Sequence, residues 1–126
     1  MAKKKYSYRG KSLEELQAMS YEELAKLLPS KQRRKITRGF TEAEEKLIEK
    51  IRNNASTKTH LREMMVLPEF VEKTIRIHNG QKFEAIKIQA DMIGHRLGEL
   101  VLTRKRLQHS APGVGATRST ANISVR

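Results

Sequence analysis

Thr74-Ile75-Arg76-Ile77-His78-Asn79-Gly80-Gln81-Lys82-Phe83-Glu84-Ala85-Ile86-Lys87-Ile88 is the stretch that decides the fold class. Apolar and polar residues alternate on both sides of Asn79-Gly80, which is the mark of half-buried strands. Asn-Gly accepts the positive φ of a tight hairpin turn. Strands are therefore expected over 74–78 and 82–88. With a two-residue loop, odd positions of the first strand share a face with even positions of the second. Ile75, Ile77, Ile86 and Ile88 then form one apolar face, and Thr74, Arg76, His78 and Phe83 a polar and basic one. Phe83 there reads equally as ordinary packing or as an aromatic platform.

Upstream, alternation over 62–67 predicts a further strand stopped by Pro68. Before it, 41–53 predicts a helix with Ala43, Leu47, Ile48 and Ile51 on one stripe. Glu42, Glu44 and Glu45 stand in its first turn and Lys50 and Arg52 in its last, the charge order that the helix dipole favours. Thr41 with Glu44 is a capping box, as are Ser12 with Glu15 and Ser20 with Glu23. Met19 and Leu24 add a hydrophobic staple to the middle one. Two short helices are thus expected before Pro29. Downstream, 91–100 predicts a short helical segment with Ile93, Leu97 and Leu100 facing the core, and Gly94 and Gly98 permit close backbone approach. Strands and segregated helices together make an α+β domain.

The chain has 126 residues, 37% of them apolar and 5% aromatic, with no Trp. That supports one modest core and argues against a large enzyme with a deep cleft. With no cysteine, disulfides, thiolate catalysis and cysteine-ligated metals are excluded, and a reducing compartment is permitted. No run approaches the ~20 apolar residues of a membrane span, and the basic start lacks the apolar stretch of a secretory signal.

Charge points to the partner. Lys and Arg number 26 against 14 Asp and Glu, a formal net charge of +12, and such an excess attracts polyanions. The bases are clustered. Residues 1–11 hold Lys3, Lys4, Lys5, Arg9 and Lys11 with no acid, which predicts a flexible basic leader. Lys31, Arg33, Arg34, Lys35 and Arg38 form the densest cluster, read as a basic insertion between helices. From 101 onward there is no acid, and residues 110–126 have so little to bury that the free tail is expected to be disordered. The chain divides into a leader with two short helices and the insertion (1–39), an α+β core (40–106) and an extended basic tail (107–126).

Separated basic segments around a small domain suit structured RNA, with Arg and Lys on phosphates and short segments threading between strands. Duplex DNA is less well served if no helix is basic along one face. The spacing of His60, His78, His95 and His109 matches no metal site, so no metal or cofactor is expected. Pro112-Gly113-Val114-Gly115-Ala116-Thr117-Arg118-Ser119 lacks the Gly-Lys-Ser/Thr ending of a phosphate loop. No catalytic residue, and no small-molecule substrate, is indicated.

Met64-Met65-Val66-Leu67-Pro68-Glu69-Phe70-Val71, Thr74-Ile75-Arg76-Ile77-His78-Asn79-Gly80, Met92-Ile93-Gly94-His95-Arg96-Leu97-Gly98-Glu99 and Thr103-Arg104 together resemble the universal small-subunit ribosomal protein nineteen family. The resemblance covers about 40–106. The acid-capped leader and the tail 109–119 look like the archaeal and eukaryotic branch, most like an archaeal member. Two positions depart from the pattern. Glu72 stands where Gly is usual, which bears on a tight turn after Val71, and Leu100 stands where an aromatic is usual, which bears on one core contact.

The resemblance implies a small mixed three-stranded β-sheet packed against helix. It also implies a structural, non-enzymatic role on the 3' major domain of small-subunit ribosomal RNA in the subunit head. The thirteenth small-subunit ribosomal protein would be a neighbour, the large subunit a contact, and the location cytoplasmic. The tail would extend toward the decoding centre and aminoacyl-site transfer RNA. Lys58, His60, Arg62, Asn79, Gly80, Lys82, Gly94, His95, Arg96, Thr103, Arg104, Lys105 and Arg106 are the implied RNA contacts. Charge alone adds Lys31, Arg33, Arg34, Lys35 and Arg38. Gly113, Gly115, Thr117 and Arg118 are the tail candidates near transfer RNA. The competing reading from charge is a free regulatory or chromatin-like nucleic-acid-binding protein.

Overall fold

The computed structural model describes residues 5–124; Lys3, Lys4 and Arg126, counted above in the basic ends, lie outside the described residues. A small antiparallel hairpin, β1 (Ser7–Tyr8) and β2 (Lys11–Ser12), comes first. The leader that charge alone predicts to be flexible is therefore paired from Ser7 onward. Among the described residues, three of the four α-helices start at the anticipated caps: α1 (Leu13–Ala18) at Ser12, α2 (Tyr21–Leu27) at Ser20 and α4 (Glu42–Asn53) at Thr41. In each, the hydroxyl accepts the amide three residues on, and the glutamate there accepts the cap's own amide. Leu24 is buried and Met19 packs against the core, as the staple requires.

The basic insertion is not a connector but a helix, α3 (Ser30–Arg38). Lys, Arg and Gln are good helix formers. Two inward residues one turn apart anchor it. Ile36 packs against the core, and Gln32 Nε2 donates to the Gly94 carbonyl at 2.8 Å. Its missing acidic first turn is what hid it from a reading based on capping. In α4, Leu47, Ile48 and Ile51 are buried as expected, but Ala43 is exposed and Glu44 is buried in its place. Lys35 reaches Glu44 at 2.7 Å. Burial works to raise the Glu44 pKa, but hydrogen bonds from Lys35 and Thr41 and the Lys35 charge outweigh it, leaving the carboxyl below its ordinary value.

The main sheet is three-stranded and mixed, in the order β3 (Ser56–Thr59), β4 (Thr74–His78), β5 (Phe83–Lys87). β3 runs parallel to β4, and β4 antiparallel to β5. The third strand thus lies before residue 60, not over 62–67. Met64, Met65, Val66 and Leu67 are all buried in succession, which an alternating half-exposed strand cannot do. This segment crosses the core as irregular chain and takes its backbone partners from 94–97: Val66 N–H donates to the His95 carbonyl at 2.7 Å, Gly94 N–H to Val66 at 3.2 Å and Leu97 N–H to Met64 at 2.9 Å. The same pairing removes the helix expected over 91–100. Two 3₁₀ turns, Ala90–Met92 and Leu97–Leu100, replace it, separated by Gly94 at φ +85°. Ile93 and Leu97 are nevertheless buried, and Leu100 packs at the core edge.

In the hairpin His78 pairs with Phe83, so the loop spans four residues rather than two. Both lengths are even, so the face assignment is unchanged. Ile75, Ile77 and Ile88 are fully buried, while Ile86 is half-buried at the core edge. The core is one cluster: Leu16, Leu24 and Leu28 from the leading helices join Phe70, Ile51 and the sheet isoleucines. At its surface Arg52 grips Glu69 at 2.7 Å, and the Tyr21 hydroxyl donates to Glu69 at 2.8 Å, tying α2, α4 and the Pro68–Phe70 turn together. Burial first, then the Glu69 hydrogen bond and charge, push the Tyr21 hydroxyl up to about 12 against the opposing Arg52.

Glu72 adopts φ +69°. The turn after Val71 therefore forms despite the side chain, held by Glu72 N–H on Ile88 at 2.8 Å and Lys73 N–H on Phe70 at 3.1 Å. A non-glycine residue there carries a steric penalty of roughly 1–2 kcal/mol. Glu72→Gly should raise stability by about 1 kcal/mol in urea unfolding, the relief of strain exceeding the loss of chain entropy; a lower midpoint would mean that the turn is unstrained. Ile75→Ala should cost about 2–5 kcal/mol in the same measurement, and Ile86→Ala clearly less, since only Ile75 is fully enclosed. Equal losses would place Ile86 in the core proper.

Candidate nucleic-acid interface

The sheet carries its apolar residues on one face and a set of cationic and aromatic side chains on the other. The parallel register sets Lys58 beside Arg76, and the antiparallel register sets Ala85 beside Arg76 and Phe83 beside His78. One step beyond β3, His60 falls next to His78. Three rings meet there. His60 and His78 lie 4.4 Å apart, tilted by 31°, and Phe83 stands edge-on to them at 5.0 and 4.9 Å. The Lys58 ammonium sits 5.5 Å from the Phe83 ring centre, within cation–π range. Among the described residues no third His, Cys, Asp or Glu joins the two histidines to hold a metal ion.

The turn beside this cluster is built by its own side chains. Asn79 is buried, its Oδ1 accepting the amides of Gln81 and Lys82 at 3.0 and 2.9 Å and its Nδ2 donating to Glu84 at 2.8 Å. His78 Nδ1 accepts the Gly80 amide at 3.0 Å, so the proton of the neutral ring is on Nε2. Asn79 is thereby a framework residue, while Gly80 and Lys82 are exposed at the tip.

Arg62 is committed inside the fold. Its guanidinium donates to the carbonyls of His78 at 2.7 Å, Gly98 at 2.8 Å and Val101 at 2.9 Å. This clamp joins the end of β4 to the turn that leads into the C-terminal segment. Gly98 completes it, because a Cβ there would lie 2.9 Å from the Arg62 carbonyl oxygen and 3.1 Å from its Cβ. The close approach expected for this glycine is thus made to Arg62.

A second basic area forms where α3 meets 94–96. Lys31, Arg34 and Arg38 recur at helical spacing on the exposed side of α3, with Arg33 beside them. Lys35 turns inward to Glu44. Gln32, Lys35 and Arg96 line a common crevice, so the two sequence clusters are neighbours. Arg96 stands 3.9 Å from Glu63, and exposed His95 faces Glu99 at 2.8 Å. A helix basic along its outer side is what the argument against duplex DNA took to be missing; α3 removes that argument.

Thr103, Arg104, Lys105 and Arg106 are exposed and belong to no helix or strand. In the tail, Gly113, Gly115 and Arg118 are exposed, and the Thr117 hydroxyl meets those of Thr120 at 2.7 Å and Ser119 at 3.2 Å in a local turn. Arg76 and Phe83 were not among the expected contacts, although hairpin parity alone puts both beside His78. Lys46 and Lys50 of α4 stand exposed along one crevice with Lys58 and His60; nothing in the sequence signals this, because the strand that α4 packs against is expected over 62–67.

Exchanging Arg62 for Met keeps an aliphatic stem and removes all three donors. A charged hydrogen bond contributes about 1.5–3 kcal/mol, and three made by one guanidinium are not additive, so Arg62→Met should lose roughly 2–4 kcal/mol in urea unfolding. An unchanged midpoint would show that the guanidinium is free to serve a ligand instead.

The sequence of this chain is similar to known proteins. The family model described as "Ribosomal protein S19" matches residues 34–109. The small ribosomal subunit protein uS19 of Haloquadratum walsbyi is 48% identical over 128 aligned positions, covering 96% of this chain and 91% of that protein. With more than half the chain inside the family model and nearly all of it aligned to an archaeal relative, the chain belongs to the ribosomal protein S19 family.

Proposed function

We propose that this chain is a structural, non-catalytic component of the small ribosomal subunit that binds small-subunit ribosomal RNA. The observation that carries this reading is the end-to-end similarity to an archaeal uS19. The +12 charge and the cationic, ring-bearing sheet face support it independently. In this reading the 3' major domain RNA in the subunit head is the ligand, the cytoplasm the location and the thirteenth small-subunit protein the neighbour. The core over 40–106 is the RNA-binding part, and the large subunit is within contact distance.

The candidate residues divide by what each can offer. Lys58, His60, Gly80 and Lys82 present the sheet end and turn, and Lys31, Arg33, Arg34, Arg38, His95 and Arg96 the α3 area. Thr103, Arg104, Lys105 and Arg106 lead from the core. Arg62, Asn79 and Lys35 support the surface from behind, through the bonds they already make. The tail residues Gly113, Gly115, Thr117 and Arg118 reach toward the decoding centre and aminoacyl-site transfer RNA. Their exposure and small local turns suit a segment that takes its final shape against a partner.

The basic outer side of α3 favours one second reading, a free nucleic-acid binder acting on duplex DNA. Titration of 3' major domain RNA and of duplex DNA across a salt series separates the two. With about ten phosphate contacts, log affinity for the RNA should fall against log salt with a slope of about −7 to −9, with a large preference for the RNA. A shallow slope, or equal affinity for duplex DNA, would remove the ribosomal scaffold reading.

A further inference from the structure

Between α4 and the ring-bearing side of the sheet lies a groove of about 320 Å³. Leu47, Leu61 and Phe83 give it apolar and aromatic walls, and Lys46, Lys50 and Lys58 stand exposed around it with His60. Its lining contains no carboxylate. Lys46 reaches back to Glu42 on its own helix, an exposed pair that adds little stability. Apolar walls under a rim of ammonium groups ask for a ligand that is flat and apolar in one part and anionic in another.

We propose that this groove seats one unpaired nucleotide of the bound RNA, its base against Phe83 and His60 and its flanking phosphates on Lys46, Lys50 and Lys58. The proposal rests on the RNA-binding reading above and specifies what this part of the surface takes. A paired base has both faces covered by its neighbours in the stack, so only a base turned out of a helix offers a face to a protein ring. The groove supplies what such a base needs. Phe83 is half-buried and stands edge-on to two histidines. Lys58, now over the Phe83 ring, is the cation that would move to phosphate as a base takes its place. An acidic peptide with an aromatic residue has related chemistry, but three ammonium groups spread around one ring-walled groove favour a base with phosphates on both sides.

The test uses the full chain and two probes, hexaadenylate and the same oligomer with all of its bases removed, at one fixed low salt concentration. Base–aromatic stacking is typically worth about 1–3 kcal/mol, so the abasic oligomer should bind roughly 5- to 50-fold more weakly. Phe83→Leu should weaken the intact oligomer alone and leave the abasic one unchanged. If Phe83→Leu does not fold, amide chemical shifts of the unaltered protein decide. Changes centred on Leu47, Leu61 and Phe83 with the intact oligomer support the seat; changes confined to other residues overturn it. Equal binding of the two oligomers, with 3' major domain RNA still bound, overturns the seat and leaves the RNA reading standing. Loss of all three RNAs overturns both. Stronger displacement of the oligomer by an acidic, Phe-containing peptide than by free hexaadenylate reassigns the groove to a protein partner.

Discussion

The fold depends on the burial of four successive residues, Met64 to Leu67, in chain that is neither helix nor strand. Backbone amides and carbonyls taken from water in such a segment must find partners or cost free energy comparable to a lost hydrogen bond. Residues 94–97 supply them. That requirement fixes the positive φ at Gly94, forbids a helix through it, and brings Arg96 and His95 up beside α3. Arg62, just before the buried segment, adds three donors to carbonyls at the ends of β4 and of the last turn. Two stretches some thirty residues apart in sequence are thereby locked together, and the sheet and the leading helices pack on either part of that lock.

This arrangement separates support from presentation. Asn79 through its own turn, Arg62 and Lys35 through distant partners, and Gln32 through its Nε2 all bond polar groups of the chain itself, and all four are half-buried or buried. Lys58, His60, Lys82, Arg34 and Arg38 are exposed. A protein with a net charge of +12 repels itself when compact. Two acids relieve this within the frame, Glu44 under Lys35 and Glu69 under Arg52. The cations on the sheet's polar face and on the outside of α3 are exposed to solvent instead.

The leading helices share that frame. Leu16, Leu24 and Leu28 lie in the same cluster as the sheet isoleucines, and the Tyr21–Arg52–Glu69 group closes the seam between them. A leader that charge alone describes as an arm is thus packed from Tyr6 onward. The segment beyond Val101 is the opposite case: Leu107, Val114 and Ile123 are exposed, so it adds little to the core.

What the sequence determined by itself was local. Three capping boxes, a staple, the α4 stripe from Leu47 onward and the parity of the hairpin each depend on residues a few positions apart, and each is present. Parity survived even though the loop has four residues rather than two, because either even number gives the same faces. Tertiary structure decided the rest. Which strand pairs parallel with β4, that 62–67 crosses the core rather than edging a sheet, that 91–100 cannot be helical, and that Glu44 is buried in place of Ala43 all follow from partners distant in the chain. Arg62 shows the limit most plainly: its charge is legible in the sequence, but the three carbonyls that claim it are 16 to 39 residues away, and no local pattern records where a folded chain will bring a carbonyl.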